Sequence, residues 1–148
     1  VDPARQLAEG QPRIGLQVLL YPVLDHDLTT DSYRRCATGY LLTRDDMAWF
    51  WDQYVPEQAR RSDPYASPLR AASVADVAPA LIVVAGFDPL RDEAVAYARR
   101  LEEAGVPVTL IEYAGMIHGF MTLNKVTPVA EQATERVAEE IRKRIAVS

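Results

Sequence analysis

Three short apolar runs stand out along the chain: IGLQVLLYP at 14–22, PALIVVAG at 79–86 and VPVTLIEY at 106–113. Each is dense in Leu, Val and Ile and bounded by turn-forming residues, so each predicts a β-strand. The first reads as buried on both faces, since its apolar positions do not alternate with polar ones. Elsewhere apolar residues recur at helical spacing. In PLRDEAVAYARRLEEAG (89–105), Leu90, Ala94, Tyr97, Ala98 and Leu101 share a face and Gly105 closes the helix. In TRDDMAWFWDQYV (43–55), Thr43 is a candidate N-cap, and Met47, Phe50, Trp51 and Tyr54 form one face, read as core, with Trp49 off it. Thr127 is expected to cap a last helix that has Pro128 at its first position. Val129, Ala133, Val137, Ile141 and Ile145 line one side of it, and Arg142, Lys143 and Arg144 suit the dipole of its last turn. DPARQLAE (2–9) reads as a helix end broken by Gly10 and Pro12, and 25–32 and 60–71 read as loops.

The predicted order is strand, long excursion, strand, helix, strand, helix. Strands alternating with amphipathic helices imply an α/β fold: a mostly parallel sheet with flanking helices and crossover connections. Residues 1–148 read as one domain, with 26–78 as an excursion within it. Three strands are few for such a sheet, so at least one edge is expected to be exposed or covered by another chain.

Composition narrows the function classes. AVILMFWYC residues make up 49% of the chain and charged ones 25%, which is a globular balance. The formal net charge of −5 offers no basic footprint for nucleic acid. No apolar run approaches the length of a membrane span. The single cysteine, Cys36, reads as a structural thiol and fits a reducing compartment such as the cytoplasm.

Two residues carry candidate chemistry. Asp88 follows the strand at 79–86, and His118 follows the strand at 106–113. Ligands of an open parallel sheet bind outside the carboxyl ends of its strands. One crossover helix joins these two strands, so their following loops are expected side by side, with the carboxylate in reach of the imidazole. That is the acid–histidine half of a hydrolase triad. A plainer reading stands beside it: Asp88 as N-cap of a helix with Pro89 at its first position, and His118 as a loop residue satisfying backbone groups.

The stretch SPLRA…PALIVVAGFDPLRDEAVAYARRLEEAGVPVTLIEYAGMIHGF resembles the C-terminal half of the hormone-sensitive-lipase-like carboxylesterases, which have the α/β-hydrolase fold. QVLLYPVLD (17–25) is similar to the family's strand after the nucleophile helix, and DSYRRCATGYLLTRDDMAWFWDQYV to its cap-side segment. The resemblance implies that Asp88 of DPLRDE is the triad acid and His118 of HGF the base, with no cofactor and no metal. It also implies a small-molecule ester substrate with a short to medium acyl group, and a homodimer contact through 106–113 and 127–146.

The family's G-x-S-x-G nucleophile elbow and HGG oxyanion loop do not occur in this sequence. None of Ser32, Ser62, Ser67, Ser73 and Ser148 has glycines two positions away on both sides. In this fold the serine precedes the acid and the base, so it is expected before residue 1, on a missing N-terminal half. By itself the chain is then expected to lack triad-dependent esterase activity. The alternative is a non-catalytic truncated α/β module acting as a binding or assembly scaffold. Tyr21, Trp49, Trp51 and Phe120 are candidates for an apolar substrate pocket. His26, flanked by Asp25 and Asp27, reads as a solvated loop, and no His/Cys/Asp/Glu group has metal-site spacing.

Overall fold

The computed structural model describes residues 14–145. Its centre is a parallel three-stranded sheet of β1 (Gln17–Leu20), β2 (Ala80–Phe87) and β3 (Val108–Ile117), in that spatial order. Among the described residues, the connections carry three α-helices, α1 (Asp31–Arg35), α2 (Arg44–Tyr54) and α3 (Arg91–Glu103), and a fourth, α4 (Pro128–Ile145), follows β3. The expected alternation of strand and helix is present.

β2 is the buried spine, and its residues feed two cores by the period-two alternation of a strand. Ala80, Ile82 and Val84 pack on one side with Ala94, Tyr97, Ala98 and Leu101 of α3. Leu81, Val83 and Ala85 pack on the other side with Ala133 and Val137 of α4 and with Phe120. The predicted apolar faces of both helices are therefore the ones that meet the sheet. The Thr127 hydroxyl accepts the Val129 N–H at 3.3 Å, as a cap should. The expected helix at 2–9 lies outside the described residues.

β1 departs from expectation. Its apolar run predicts burial on both faces, yet its residues alternate between half-buried and exposed, with Val18 and Leu20 on the open side. The physical reason is its position: among the described residues it pairs with β2 alone, so its apolar composition is only half covered.

β3 runs four residues past its predicted end, and the extra length resets the register. From Ala80↔Val108 to Ala85↔Tyr113 each β2 residue faces the β3 residue 28 positions on; at Phe87↔Ile117 the offset is 30. β3 thus gains two residues opposite Gly86, a bulge-type irregularity. Asp88 and His118 are the next residues after that last pair. The bulge therefore sets them side by side; without it, Asp88 would face Met116.

The excursion is held down by polar groups as well as by packing. The Thr43 hydroxyl accepts the Asp46 N–H at 3.1 Å, and the Asp46 carboxylate accepts the Thr43 N–H at 3.0 Å, which is a reciprocal capping box for α2. Of the α2 face read as core, Met47 and Trp51 are buried with Tyr33 and Leu90. Phe50 and Tyr54 are exposed instead, because that contact uses a single i, i+4 ridge of the helix and leaves the flanking position to solvent.

Candidate active site

Asp88 is buried at the carboxyl end of the sheet, and its two oxygens are committed to different partners. Oδ1 accepts the Leu90 N–H at 2.9 Å, and Oδ2 lies 2.8 Å from Nδ1 of His118. One oxygen of Asp88 thus bonds the turn that opens α3, and the other faces the imidazole. The expected cap geometry is shifted: α3 starts at Arg91, with Leu90 rather than Asp88 in the N-cap position. A carboxylate only accepts, so Nδ1 is the donor, and the neutral ring in this tautomer has its lone pair on Nε2. The His118 side chain is 25% exposed against 1% for Asp88, so the ring reaches solvent while its orienting partner does not.

The turn that bears Asp88 is clasped from the excursion. No side chain of α3's own N-cap residue bonds its first turn. Ser32 supplies the missing group: its hydroxyl donates to the Pro89 carbonyl at 2.6 Å and lies 3.2 Å from the Asp92 N–H. Asp92 in return accepts the Ser32 N–H at 2.8 Å. Ser32 appears in the sequence only as a serine outside any elbow motif, yet it is fully buried and serves as a cap.

Glu93 is a second residue that sequence reasoning missed. It stands beside Asp92 in the first turn of α3, where an acid suits the helix dipole at the surface, yet it is buried. Oε1 accepts the Leu24 N–H at 2.8 Å, tying the end of the β1 loop to α3. Oε2 and the Tyr33 hydroxyl are buried with no hydrogen-bond partner among the described residues. Burial pushes the Glu93 carboxyl up to about 8; the Leu24 N–H opposes this, and the charges of Asp25 and Asp88 add to it. An indication was present in the sequence: Glu93 lies i, i+4 from Tyr97 on the apolar stripe of α3.

This burial has a testable consequence. Below about pH 4.5 the folded and unfolded chains both hold the Glu93 proton. Between there and about 8 only the folded chain keeps it, so stability falls as pH rises through that window. Glu93→Gln keeps the acceptor for Leu24 and removes the titration. Unfolding free energies of the variant and the parent chain, from denaturant titration, should diverge in the variant's favour from pH 5 to 8, by on the order of 3 kcal/mol. Parallel curves would refute the assignment.

The remaining sequence candidates separate. The Tyr21 ring lies 4.8 Å from the His118 ring, centroid to centroid, tilted by 59°. Its backbone is left-handed, φ 37°, which a bulky residue adopts at a cost of about 1–3 kcal/mol. Gly119, at φ 72°, turns the chain, and the Phe120 ring is fully buried 5.0 Å from Tyr113, behind Tyr21. Trp51 is buried but borders a groove of roughly 310 Å3 with Val23, Met47, Phe50, Tyr54, Tyr65, Ala66 and Pro68. Neither Asp88 nor His118 lines that groove, and Trp49 packs edge-on against Phe50 outside it. His26, read as solvated, has its Nε2 2.9 Å from the Ser62 hydroxyl.

Comparison with known proteins places this geometry in context. The family described by the alpha/beta hydrolase fold matches residues 4–122. The chain is 40% identical to an ethyl acetate hydrolase of Pseudomonas putida over 96% of its own length and 44% of the relative's. It is 42% identical to the carboxylic ester hydrolase LipN of Mycobacterium tuberculosis, over 95% of its length and 37% of that protein's. Among solved structures, a thermostable esterase from Pseudomonas putida superposes with a TM-score of 0.84 at 43% identity, covering 90% of this chain and 43% of that one. The chain therefore spans less than half the length of these relatives. No helix among the described residues is long and apolar enough to cross a membrane.

Proposed function

Because the chain belongs to the hormone-sensitive-lipase-like carboxylesterases of the α/β-hydrolase family, we propose that it supplies the acid and the base of a serine esterase whose nucleophile lies on residues outside this sequence. The observation that carries the reading is the 2.8 Å contact between Asp88 Oδ2 and His118 Nδ1, built on two adjacent strand ends. His118 Nε2 takes the serine proton as the oxygen attacks the acyl carbonyl. The same nitrogen then returns the proton to the departing alcohol, leaving an acyl-enzyme. Water attacks the acyl carbon with His118 again as base, and the acid is released. Asp88 holds the ring in the tautomer that leaves Nε2 free and stabilises the imidazolium between the two transfers. Esters of short to medium acyl chains are the expected substrates.

The test is a chimera in which this chain replaces the matching C-terminal part of the Pseudomonas putida ethyl acetate hydrolase. It should hydrolyse a short-chain nitrophenyl ester, and His118→Ala should abolish that turnover. The chain alone should show no His118-dependent turnover. A folded but inactive chimera would overturn the acid–base assignment. Activity of the chain alone that His118→Ala removes would overturn the assignment of the nucleophile elsewhere.

A further inference from the structure

We propose that Tyr21 is a positioning residue for His118, the aromatic wall that fixes the plane of the imidazole while Asp88 fixes its tautomer. The proposal rests on His118 being the base of the proposed site.

Asp88 alone does not define the ring. The Cβ tether and the hydrogen bond to Nδ1 hold one edge of the imidazole, but the ring can still rock about that edge, and Nε2 would then sweep an arc. Proton transfer needs Nε2 held within a few tenths of an ångström of one line, so a second constraint on the ring plane is required. Tyr21 is placed to give it, with its ring centroid 4.8 Å from that of His118 at a tilt of 59°.

Three features of the fold make Tyr21 rigid enough for this role. Its N–H donates to the Val83 carbonyl at 2.7 Å, continuing the β1–β2 ladder by one residue. Its left-handed φ of 37° then turns the chain at that point, ahead of Pro22. Strained non-glycine conformations persist where surrounding structure over-determines them, and they cluster at functional sites. Behind Tyr21 stands Phe120, at 6.2 Å in an edge-on arrangement, itself fixed by Tyr113 at 5.0 Å. The series Tyr113, Phe120, Tyr21, His118 thus runs from the α4 side of the core to the reactive ring. Asp88 also acts on Tyr21: burial first and then the Asp88 charge push the phenol up, so it stays neutral and adds no second negative charge beside the imidazole.

The test uses the chain itself and nuclear magnetic resonance, and it needs no substrate. In the unaltered chain, Tyr21 ring protons should show cross-relaxation to the His118 ring protons, and the hydrogen-bonded Nδ1 proton should give a slowly exchanging downfield resonance. Tyr21→Phe should retain both signatures. Tyr21→Leu should broaden the Nδ1 resonance, speed its exchange at least tenfold, and shift the His118 carbon-bound protons by loss of the ring current. An Nδ1 resonance unchanged in linewidth and exchange in a folded Tyr21→Leu chain would overturn the proposal. Should that variant fail to fold, absence of Tyr21–His118 cross-relaxation in the unaltered chain would overturn it equally. In the chimera, Tyr21→Leu should lower kcat tenfold or more with KM within about twofold; the reverse pattern would make Tyr21 a substrate contact instead. If the resonance signatures hold but the chimera is inactive, the esterase reading fails and the positioning of His118 stands.

Discussion

Asp88→Asn should leave the fold intact and lower kcat for ester hydrolysis in the chimera by about 10^4, with KM nearly unchanged. The size follows from the bonding. Asn can still accept the Leu90 N–H through its carbonyl, so the turn after β2 keeps its hydrogen bond. Toward His118 the amide then presents its NH2 group, which can only donate. Nδ1 must turn into an acceptor, the ring proton moves to Nε2, and the nitrogen that should receive the serine proton already carries one. The imidazolium also loses its buried counter-charge. Steady-state kinetics together with thermal melting decide the matter. A fall of less than tenfold in a stably folded variant would mean that Asp88 serves α3 and not His118, which is what the scaffold alternative requires.

Gly86→Ala is expected to have the largest effect on stability. A Cβ at Gly86 would overlap the Ala114 carbonyl oxygen and stand 2.7 Å from its carbon and 2.8 Å from its Cα. Those are backbone atoms of the bulged part of β3, so no side-chain rotation relieves the clash. The two strands must part just where the register steps from 28 to 30. The cost should be on the order of 3 kcal/mol or more, in the range of overpacking within a rigid site. The same displacement should separate Asp88 from His118, so any Gly86→Ala chain that folds should also lose the downfield Nδ1 resonance. Unchanged stability would show that β3 yields easily and that the bulge does not set the pairing.

Much of this was legible from the sequence because the signals were periodic. The stripe Leu90, Ala94, Tyr97, Ala98 and Leu101 predicts α3 and its buried face, and VVAG closing on Asp88 predicts a strand end with a carboxylate on the ligand side. The 30-residue spacing of Asp88 and His118 was visible as well, but its cause was not. Ala114-Gly115 reads like the end of a strand, and only the pairing to Phe87 reveals that β3 continues through it. Burial of Glu93 and Ser32 was hidden for a related reason. Each looks like an ordinary polar residue in its local context, and each is buried by a segment some 60 residues or more away along the chain. Phe50 and Tyr54 erred in the other direction, since helical periodicity shows which residues share a face but not how wide a contact that face makes.

The Ser32 clasp has a consequence for how the chain reaches its native state. The Asp92 N–H in the first turn of α3 is satisfied by a hydroxyl 60 residues upstream, so that end of the helix cannot be completed by local interactions. β2, α3 and β3 are consecutive and can associate early, while closing the loop through the excursion brings its own entropic penalty and comes later. The first turn of α3 is therefore expected to stay frayed until the excursion docks, even where β2, α3 and β3 have already come together.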